Sequence, residues 1–136
     1  MANTKGQIFG INGPVVKVKG SDSFEMQEMV YVGNEELIGE VIGVTSDTTI
    51  VQVYEETTGL KKGEPVVGTG GPLSITLAPG ILSDIFDGIE RPLKEIRNMS
   101  GSFIGRGLKV TNLDERKTWN VEMVAKQGDY VTGGDI

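Results

Sequence analysis

The chain has 136 residues, a length that suits one domain or slightly more, and its 38% apolar and 24% charged residues are typical of a soluble globular protein. It contains neither cysteine nor histidine, which excludes a disulfide framework, thiolate chemistry, and the commonest general base and zinc ligand. No apolar run is long enough to cross a bilayer, and the first ten residues lack the apolar stretch of a signal peptide.

Charge is distributed unevenly along the chain, whose net charge is -6. Residues 20–64 carry ten carboxylates and two lysines, whereas the rest of the chain is slightly basic. An acidic first half argues against binding of a phosphate backbone, so nucleic acid is not an expected partner. Two interpretations of the acidic half remain open: a solvated acidic surface, or an electrostatic match to a basic neighbouring subunit.

The first half of the chain predicts short strands joined by tight turns. The strands are predicted within residues 6–18, 26–32, 37–44 and 48–54. Asn12-Gly13 and Gly33-Asn34 are strong hairpin signals, and the last of these segments is β-branched and alternating. Gly39 and Gly43, inside one predicted strand, indicate bulges or the tight curvature that closes a small barrel.

The rest of the predicted sheet lies in a glycine-rich stretch. Residues 65–67 and 73–77 complete a set of six or seven short strands, and residues 59–63 suit a turn. We expect the sheet to bend or end at residues 68–72, because three glycines and a proline cannot fill a strand interior. This strand spacing predicts a mainly β fold over residues 1–77, a closed antiparallel barrel or a sandwich, and closure would remove exposed strand edges.

A short helical connector is predicted at residues 78–100. Pro79 begins a helix that runs to Asp87 and ends near Gly88, with its apolar residues on one face. Pro92 opens a second short helix, which covers residues 93–98. Both helices are too short to fold alone, so they are expected to lead out of the barrel.

Residues 101–136 differ in character from the barrel. Short strands at residues 103–104 and 119–124, and a turn–strand–turn pattern from Gly128 onward, predict the beginning of a second β domain. Ile136 directly follows a Gly-Gly turn, at a point where a further strand should begin. We therefore expect this domain to be incomplete and the chain to be a fragment.

No catalytic, cofactor-binding or metal-binding residue is predicted. Glu55 and Glu56 are adjacent, so on a strand they face opposite sides and make a poor acid–base pair. Asp84 and Asp87 are three residues apart on a predicted helix, where capping and solvation account for them better than catalysis. The glycine-rich stretch 68–74 lacks the lysine of a phosphate-binding loop, and its proline removes an amide donor.

Two arginines are candidates for a specific contact. Arg91 lies between Glu90 and Pro92, and Arg106 lies between Gly105 and Gly107, so turn-forming neighbours restrain both. A guanidinium in such a position can hold a carboxylate or a row of carbonyl groups of another element. Solvation at the surface is the alternative for both side chains.

Many patterned residues follow one another in the order found in a known family. They are Gly6, Ile8, Asn12-Gly13-Pro14-Val15-Val16, Met29-Val30, Val32-Gly33, Leu37-Ile38-Gly39-Glu40-Val41-Ile42, Val53-Tyr54-Glu55-Glu56-Thr57-Thr58-Gly59-Leu60, Gly63-Glu64-Pro65-Val66, Gly70-Gly71-Pro72-Leu73-Ser74, Pro79-Gly80-Ile81-Leu82, Phe86-Asp87-Gly88-Ile89, Arg91-Pro92-Leu93, Gly101, Phe103-Ile104, Arg106-Gly107, Leu113-Asp114, Trp119, Gly128-Asp129, Val131 and Gly133-Gly134-Asp135-Ile136. In this order they resemble the N-terminal part of the catalytic A subunit of V-type and archaeal-type rotary ATPases. The resemblance covers nearly the whole chain. It departs at Glu90, where glutamine is usual, and after Trp119, where a proline is expected.

The resemblance implies that the chain has three regions and that none of them carries catalytic residues. Residues 1–77 would form the N-terminal crown barrel, residues 78–100 a connector, and residues 101–136 the beginning of the inserted bulge domain. The crown would hold the alternating A/B hexamer together while the parent subunit couples ATP hydrolysis or synthesis to ion movement. The phosphate loop, its lysine, the catalytic glutamate and the Mg²⁺ ligands of the family match no residue here. Mg-ATP would therefore belong to the parent subunit.

The expected partners follow from the same resemblance. They are the B subunit of the A/B ring and, through the insertion, the peripheral stalk, with a cytoplasmic location peripheral to a membrane and no insertion into it. A free-standing β-barrel module that binds another protein is the alternative function, and a small enzyme is a second one. The sequence leaves open whether the ion is H⁺ or Na⁺ and in which direction the parent runs.

Overall fold

The computed structural model describes residues 5–19, 24–82, 84–114 and 116–134. Its six strands are β1 (Lys5–Asn12), β2 (Val15–Lys19), β3 (Glu28–Val32), β4 (Leu37–Val44), β5 (Thr49–Val53) and β6 (Pro65–Pro72). They form a closed barrel in the order β1-β2-β5-β4-β3-β6, and every neighbouring pair is antiparallel. The prediction of a mainly β fold with a small closed barrel is confirmed.

The barrel encloses one apolar core. Its side chains come from every strand and from the loop before β3: Ile8, Val16, Val18, Phe24, Val30, Val32, Leu37, Val41, Val51, Val53 and Val66. Burial alternates along β2, β3 and β5, as expected when successive side chains point to opposite faces of a sheet. β-branched residues dominate the core, and this side-chain shape packs well on a pleated surface.

Glycines allow the tight turns and close strand approaches of the barrel. Gly13 and Gly33 occupy the β1–β2 and β3–β4 turns with φ of 57° and 75°, so both hairpin predictions are confirmed. At Gly39 an added Cβ would lie 2.9 Å from the backbone oxygen of Gln52 on β5. The ladder between β4 and β5 shifts between Val41 and Gly43, which confirms the predicted irregularity in this strand.

Strand β6 differs from its prediction. It continues through Gly68 and ends at Pro72, whereas we expected the sheet to bend or end there; residues 73–77, expected to be a strand, lie outside any strand. The ladder shifts at this point, since Glu28 pairs with Pro72 and Val30 pairs with Gly68. The buried Glu28 carboxylate accepts the N–H of Gly70 at 2.9 Å, and an added Cβ at Gly68 would overlap with its Oε1. The Glu28 side chain, which comes from a distant part of the sequence, thus favours glycine inside this strand.

The connector contains less helix than predicted. A single 3-10 turn spans Pro79–Ile81, and the helix expected to continue to Asp87 is absent from the described residues. The Asp87 side chain accepts the N–H groups of Ile89 and Arg91, which favours a turn over a helix at this point. The second predicted helix is present as α1 (Leu93–Ser100).

Within the described part of residues 101–134 there is no strand, so the strands predicted at 103–104 and 119–124 were wrong. Val121 and Met123, which alternate as a strand would require, are 75% and 78% exposed. A single extended segment has no second strand to receive its backbone hydrogen bonds, and alternation alone does not supply one. The domain limits at residues 77 and 100 stay predictions.

Candidate functional site at the rim of the barrel

The segment after the barrel is held to the barrel by a buried guanidinium. Arg91 is 9% exposed. Its Nε lies 2.7 Å from Asp87 Oδ2, and its Nη1 lies 3.0 Å from Glu55 Oε2, just beyond the end of β5. One cation therefore joins a carboxylate of its own turn to a carboxylate of the barrel. Such charge-assisted bonds fix both distance and orientation.

The turn that presents Arg91 depends on two carboxylates. Asp87 Oδ1 accepts the backbone N–H of Ile89 at 3.0 Å and that of Arg91 at 2.9 Å. Glu90 has φ of 62°, in the left-handed region, and its buried carboxylate accepts the Thr76 N–H at 3.0 and 3.1 Å. The same carboxylate accepts a hydrogen bond from the Asn112 side chain at 3.0 Å. The Glu90 carboxylate thus links its own turn to Thr76, which follows β6, and to Asn112.

The Gly105-Arg106-Gly107 motif crosses the same rim. The Gly107 N–H donates to Glu55 Oε2 at 3.0 Å, so this oxygen accepts from two segments of the chain. Arg106 Nη2 lies 3.0 Å from Glu35 Oε1 in the β3–β4 turn. An added Cβ at Gly107 would lie 2.6 Å from the backbone oxygen of Glu35, and φ at Gly107 is 62°. Glycine is thus required by both the close approach and the backbone angle.

The two singled-out arginines both hold carboxylates of another element, which is one of the possibilities that the sequence left open. For Arg91 the alternative of surface solvation is wrong, since its side chain is only 10% exposed. Arg106 is 31% exposed and its partner Glu35 is 52% exposed, so this pair lies at the surface. Sequence reasoning did not identify Glu55 as the common acceptor, because its partners lie 36 and 52 residues away.

The other carboxylates weighed in the sequence are separated in the structure. Glu56 accepts hydrogen bonds from the Thr58 hydroxyl and N–H, whereas Glu55 belongs to the Arg91 cluster. Asp84 pairs with Lys94 in an exposed ion pair, away from the Arg91 contacts of Asp87. No group of three carboxylates among the described residues is arranged to hold a metal ion.

The cluster perturbs the ionisation of Asp87 and Arg91. Burial by itself raises the pKa of Asp87, but hydrogen bonds from the Arg91 N–H, its guanidinium and the Ile89 N–H outweigh it and hold the pKa below its usual 3.8. Burial would lower the pKa of Arg91, and its bond to Asp87 and the charges of Glu55 and Asp87 raise it instead. Both groups are therefore charged when the segment is docked.

Lowering the pH should weaken the attachment of this segment to the barrel, and this direction follows from the lowered pKa of Asp87. Because its native pKa is below the unfolded value of 3.8, its contribution is complete above pH 3.8 and is lost as pH falls through the lower native value. We expect the amide resonances of Ile89 and Arg91, which donate to Asp87 Oδ1, to shift toward their undocked positions as pH falls below 3.8. An Asp87→Asn variant keeps the Oδ1 acceptor and removes this carboxyl, so its docking should depend less on pH. Identical titrations of the two proteins would contradict the assignment.

The rim leaves a groove between the barrel and the segment that crosses it. The groove has a volume of about 530 Å³ and is lined by both apolar and charged side chains, among them Met29, Tyr31, Ile38, Arg91 and Lys109. The charged groups in it are occupied: Arg91 by Glu55 and Asp87, and Lys109 by Glu36. The arrangement can hold one part of the chain rigidly on another.

The glycine-rich end of β6 does not offer a phosphate cradle. The Gly70 N–H donates to the Glu28 carboxylate, so this amide faces a negative charge that would repel phosphate. Among the residues that the structure describes, no helix has the length and apolar character needed to span a membrane.

Comparisons with known proteins agree with the barrel. Residues 8–70 match the sequence model described as "ATP synthase alpha/beta family, beta-barrel domain". The chain is 51% identical over 131 residues to the V-type ATP synthase alpha chain 2 of Clostridium tetani (strain Massachusetts / E88), which covers 96% of this chain. It is 52% identical over 132 residues to the V-type ATP synthase alpha chain of Halothermothrix orenii, covering 97% of this chain.

A third relative is archaeal, the A subunit of the A-type ATP synthase of Methanopyrus kandleri. It is 52% identical over 137 residues, or 100% of this chain. The chain spans only 22% to 23% of the length of these three curated relatives. Likeness to them thus extends past the barrel into the connector and the residues that follow it.

Proposed function

Since the chain belongs to the ATP synthase alpha/beta family, whose β-barrel domain it carries at residues 8–70, we propose that it forms the N-terminal crown region of the catalytic A subunit of an ion-translocating rotary ATPase or synthase. In this role the barrel joins alternating A and B subunits into a hexameric collar. The region contributes mechanical stiffness, and the chemistry of ATP takes place elsewhere in the subunit.

One observation carries this proposal above the others. Identity of 51% to a V-type alpha chain and of 52% to its A-type counterpart extends over 131 and 137 residues, far beyond the barrel itself. A β-barrel that merely shared its architecture with this family would not be expected to match its connector and following residues as well.

The geometry is suited to a stiff collar. Six strands close on themselves, and the residues inside are almost entirely inaccessible, so the barrel resists shear as one packed body. The Arg91 cluster and the Gly107 contact fasten the following segment to the rim of that body. Force applied to the connector is therefore transmitted to the barrel through fixed hydrogen bonds.

The glycine-rich stretch at residues 68–74 is poorly suited to Mg-ATP, because it lacks a lysine and its Gly70 N–H donates to a carboxylate. We therefore place its binding in other parts of the parent subunit. The B subunit is the proposed direct partner, and the peripheral stalk is the proposed partner of residues 101–136. The proposed location is cytoplasmic and peripheral to the membrane.

Sedimentation velocity tests the role in assembly. The chain is mixed with the B subunit of the same organism at up to about 100 µM, a range that detects weak protein–protein association. A complex containing both chains is expected, whereas serum albumin, an acidic protein without this role, should leave the chain sedimenting alone. Calorimetry should detect no Mg-ATP binding in the micromolar range.

Two results would contradict the proposal. If the chain sediments identically with and without the B subunit, the alternative of a free-standing β-barrel adaptor gains support. If the chain alone binds Mg-ATP with micromolar affinity, its proposed lack of nucleotide chemistry is wrong.

A further inference from the structure

The turn between β1 and β2 contains the one Asn-Gly pair of the chain, Asn12-Gly13. Asn12 ends β1 and pairs with Val15 on β2, so the turn itself consists of Gly13 and Pro14. Both members of the pair are exposed. Such a pair is chemically labile as well as turn-forming, because asparagine is thermolabile and glycine has no side chain to hinder approach to its nitrogen.

The two groups that would react are free of other contacts. Among the described residues, neither the Asn12 carboxamide nor the Gly13 N–H has a hydrogen-bond partner. The space around Gly13 is open, since an added Cβ there would meet no atom within 4 Å. Neither group therefore has to leave a partner before it reacts.

Comparable side chains elsewhere in the described chain are restrained. The Asn112 side chain donates to the Glu90 carboxylate at 3.0 Å, and leucine follows it in the sequence. Asp87 precedes Gly88, but its two oxygens accept N–H groups of its own turn and the guanidinium of Arg91. A carboxyl group held in this way cannot turn back toward the next nitrogen. The Asn-Gly pair of the β1–β2 turn has no such restraint on its side chain.

The backbone of the turn, in contrast, is restrained. Asn12 lies in a strand, where the backbone is extended and the next nitrogen lies to one side of the side chain. The bond between its Cα and its carbonyl carbon has to rotate before the two groups can meet. Two hydrogen bonds resist this rotation: the Thr57 hydroxyl donates to the Gly13 oxygen, and the Val53 N–H donates to the Pro14 oxygen, each at 2.8 Å. The turn must therefore open locally before reaction.

We propose that Asn12 is a site of spontaneous deamidation, and that the hydrogen bonds from Thr57 and Val53 to the turn set its rate. The Gly13 nitrogen loses its proton to a solvent base and attacks the carboxamide carbon of Asn12. A nitrogen–carbon bond forms in a five-membered imide, the bond to the carboxamide nitrogen breaks, and this nitrogen leaves as ammonia. Water then opens the imide at either carbonyl, which gives aspartate or isoaspartate.

The two products alter the turn in different ways. Both add a negative charge to a chain that already has a net charge of -6. Isoaspartate also adds one carbon to the main chain of a two-residue turn, so the pairing of residue 12 with Val15 loses its register. The reaction requires water and no partner protein, so it does not depend on the role in assembly.

Mass spectrometry of the intact folded chain tests the site. The chain is kept in mildly alkaline buffer and then digested with trypsin, which releases residues 6–17 as one peptide because lysines flank it at positions 5 and 17. This peptide is expected to gain the mass of deamidation sooner than the peptides that contain Asn98, Asn112 and Asn120. Electron-transfer fragmentation separates Asn12 from Gln7 and isoaspartate from aspartate. A synthetic peptide of residues 6–17 has no barrel to hold its turn, and should react at least about tenfold faster than the chain.

Two threonine variants test the restraint. Thr57→Val replaces the hydroxyl that donates to the Gly13 oxygen with a methyl group, and should accelerate deamidation of Asn12 at least about threefold, as expected when one hydrogen bond no longer opposes opening. Thr58→Val makes the same replacement one residue later, where the hydroxyl donates to Glu56, and should change the rate less than about 1.5-fold. Circular dichroism checks that both variants keep the fold.

Each result decides one statement. If Asn12 gains mass no sooner than the other asparagines, it is not a deamidation site. If the synthetic peptide and the folded chain react at the same rate, the turn does not control the reaction, and this comparison needs no substitution that could disturb folding. If the two threonine variants have equal effects, the Thr57 hydroxyl is not the restraint.

Discussion

Replacing Arg91 with alanine will release the segment after the barrel from the rim. The substitution leaves the Glu55 and Asp87 carboxylates buried without their cation; the Glu55 side chain is only 6% exposed and that of Asp87 only 18%. Breaking a buried ion pair on one side costs about 3–5 kcal/mol. We expect the Gly107 amide, which donates to Glu55, to lose its protection from hydrogen exchange, while amides of the barrel strands keep theirs.

Arg106→Ala is the matched control for this prediction. It removes the same type of side chain from an ion pair with Glu35 that is exposed to solvent, and such pairs are worth about 0–1 kcal/mol. Protection of the Gly107 amide should change far less in this variant. Unchanged exchange in Arg91→Ala, or equal losses in both variants, would show that the buried guanidinium does not hold the segment.

Leu37→Ala is expected to destabilise the barrel as a whole. Leu37 is 0% exposed at the start of β4 and belongs to the single core that all six strands share. Truncation of a buried leucine leaves a cavity and costs about 2–5 kcal/mol, a large part of the stability of a small domain. Urea unfolding followed by far-ultraviolet circular dichroism should show a lower midpoint with an unchanged slope.

Leu77→Ala deletes the same atoms at a position that is 72% exposed, and its free energy of unfolding should change by no more than about 0.5 kcal/mol. The comparison separates the cost of a core cavity from any general effect of removing leucine. If the two variants unfold at the same urea concentration, the packing of the barrel core around Leu37 has been misassigned.

The barrel was predictable because its signals are local. Buried and exposed residues alternate along β2 and β5, and Gly13 and Gly33 mark tight turns. Each of these signals involves only a few neighbouring residues, and together they specify antiparallel strands. The sheet closes into a barrel because closure buries its apolar face inside. These are the parts of the fold in which sequence pattern and structure agree.

The errors arose where a side-chain hydrogen bond to the backbone decides the conformation. Glu28 makes the glycines of β6 acceptable inside a strand, although it lies 42 residues before Gly70. The missing helix before Asp87 has a local cause instead, because the Asp87 side chain accepts the N–H groups of Ile89 and Arg91, two and four residues later, and so favours a turn. The Glu28 contact leaves no pattern in the sequence around β6, whereas Asp87-Gly88 is a turn signal.

The candidate site was half predictable for the same reason. The turn residues around Arg91 and Arg106 indicated restrained guanidinium groups, and left open whether each would meet a carboxylate, a row of carbonyl groups or solvent. Which carboxylate each would meet depends on how residues 84–107 cross the barrel, and only the structure places Glu55 between Arg91 and Gly107. Burial of the cluster was equally invisible, since it is produced by packing of separate segments.

Closure of the β1–β6 barrel has a consequence for recognition. Every strand has both of its neighbours, so none can extend its ladder into another molecule by strand addition. Any companion must therefore be selected by the chemistry and shape of outward-pointing side chains. Such residues can be exchanged with little effect on folding, which leaves the choice of companion free to change while the scaffold stays the same.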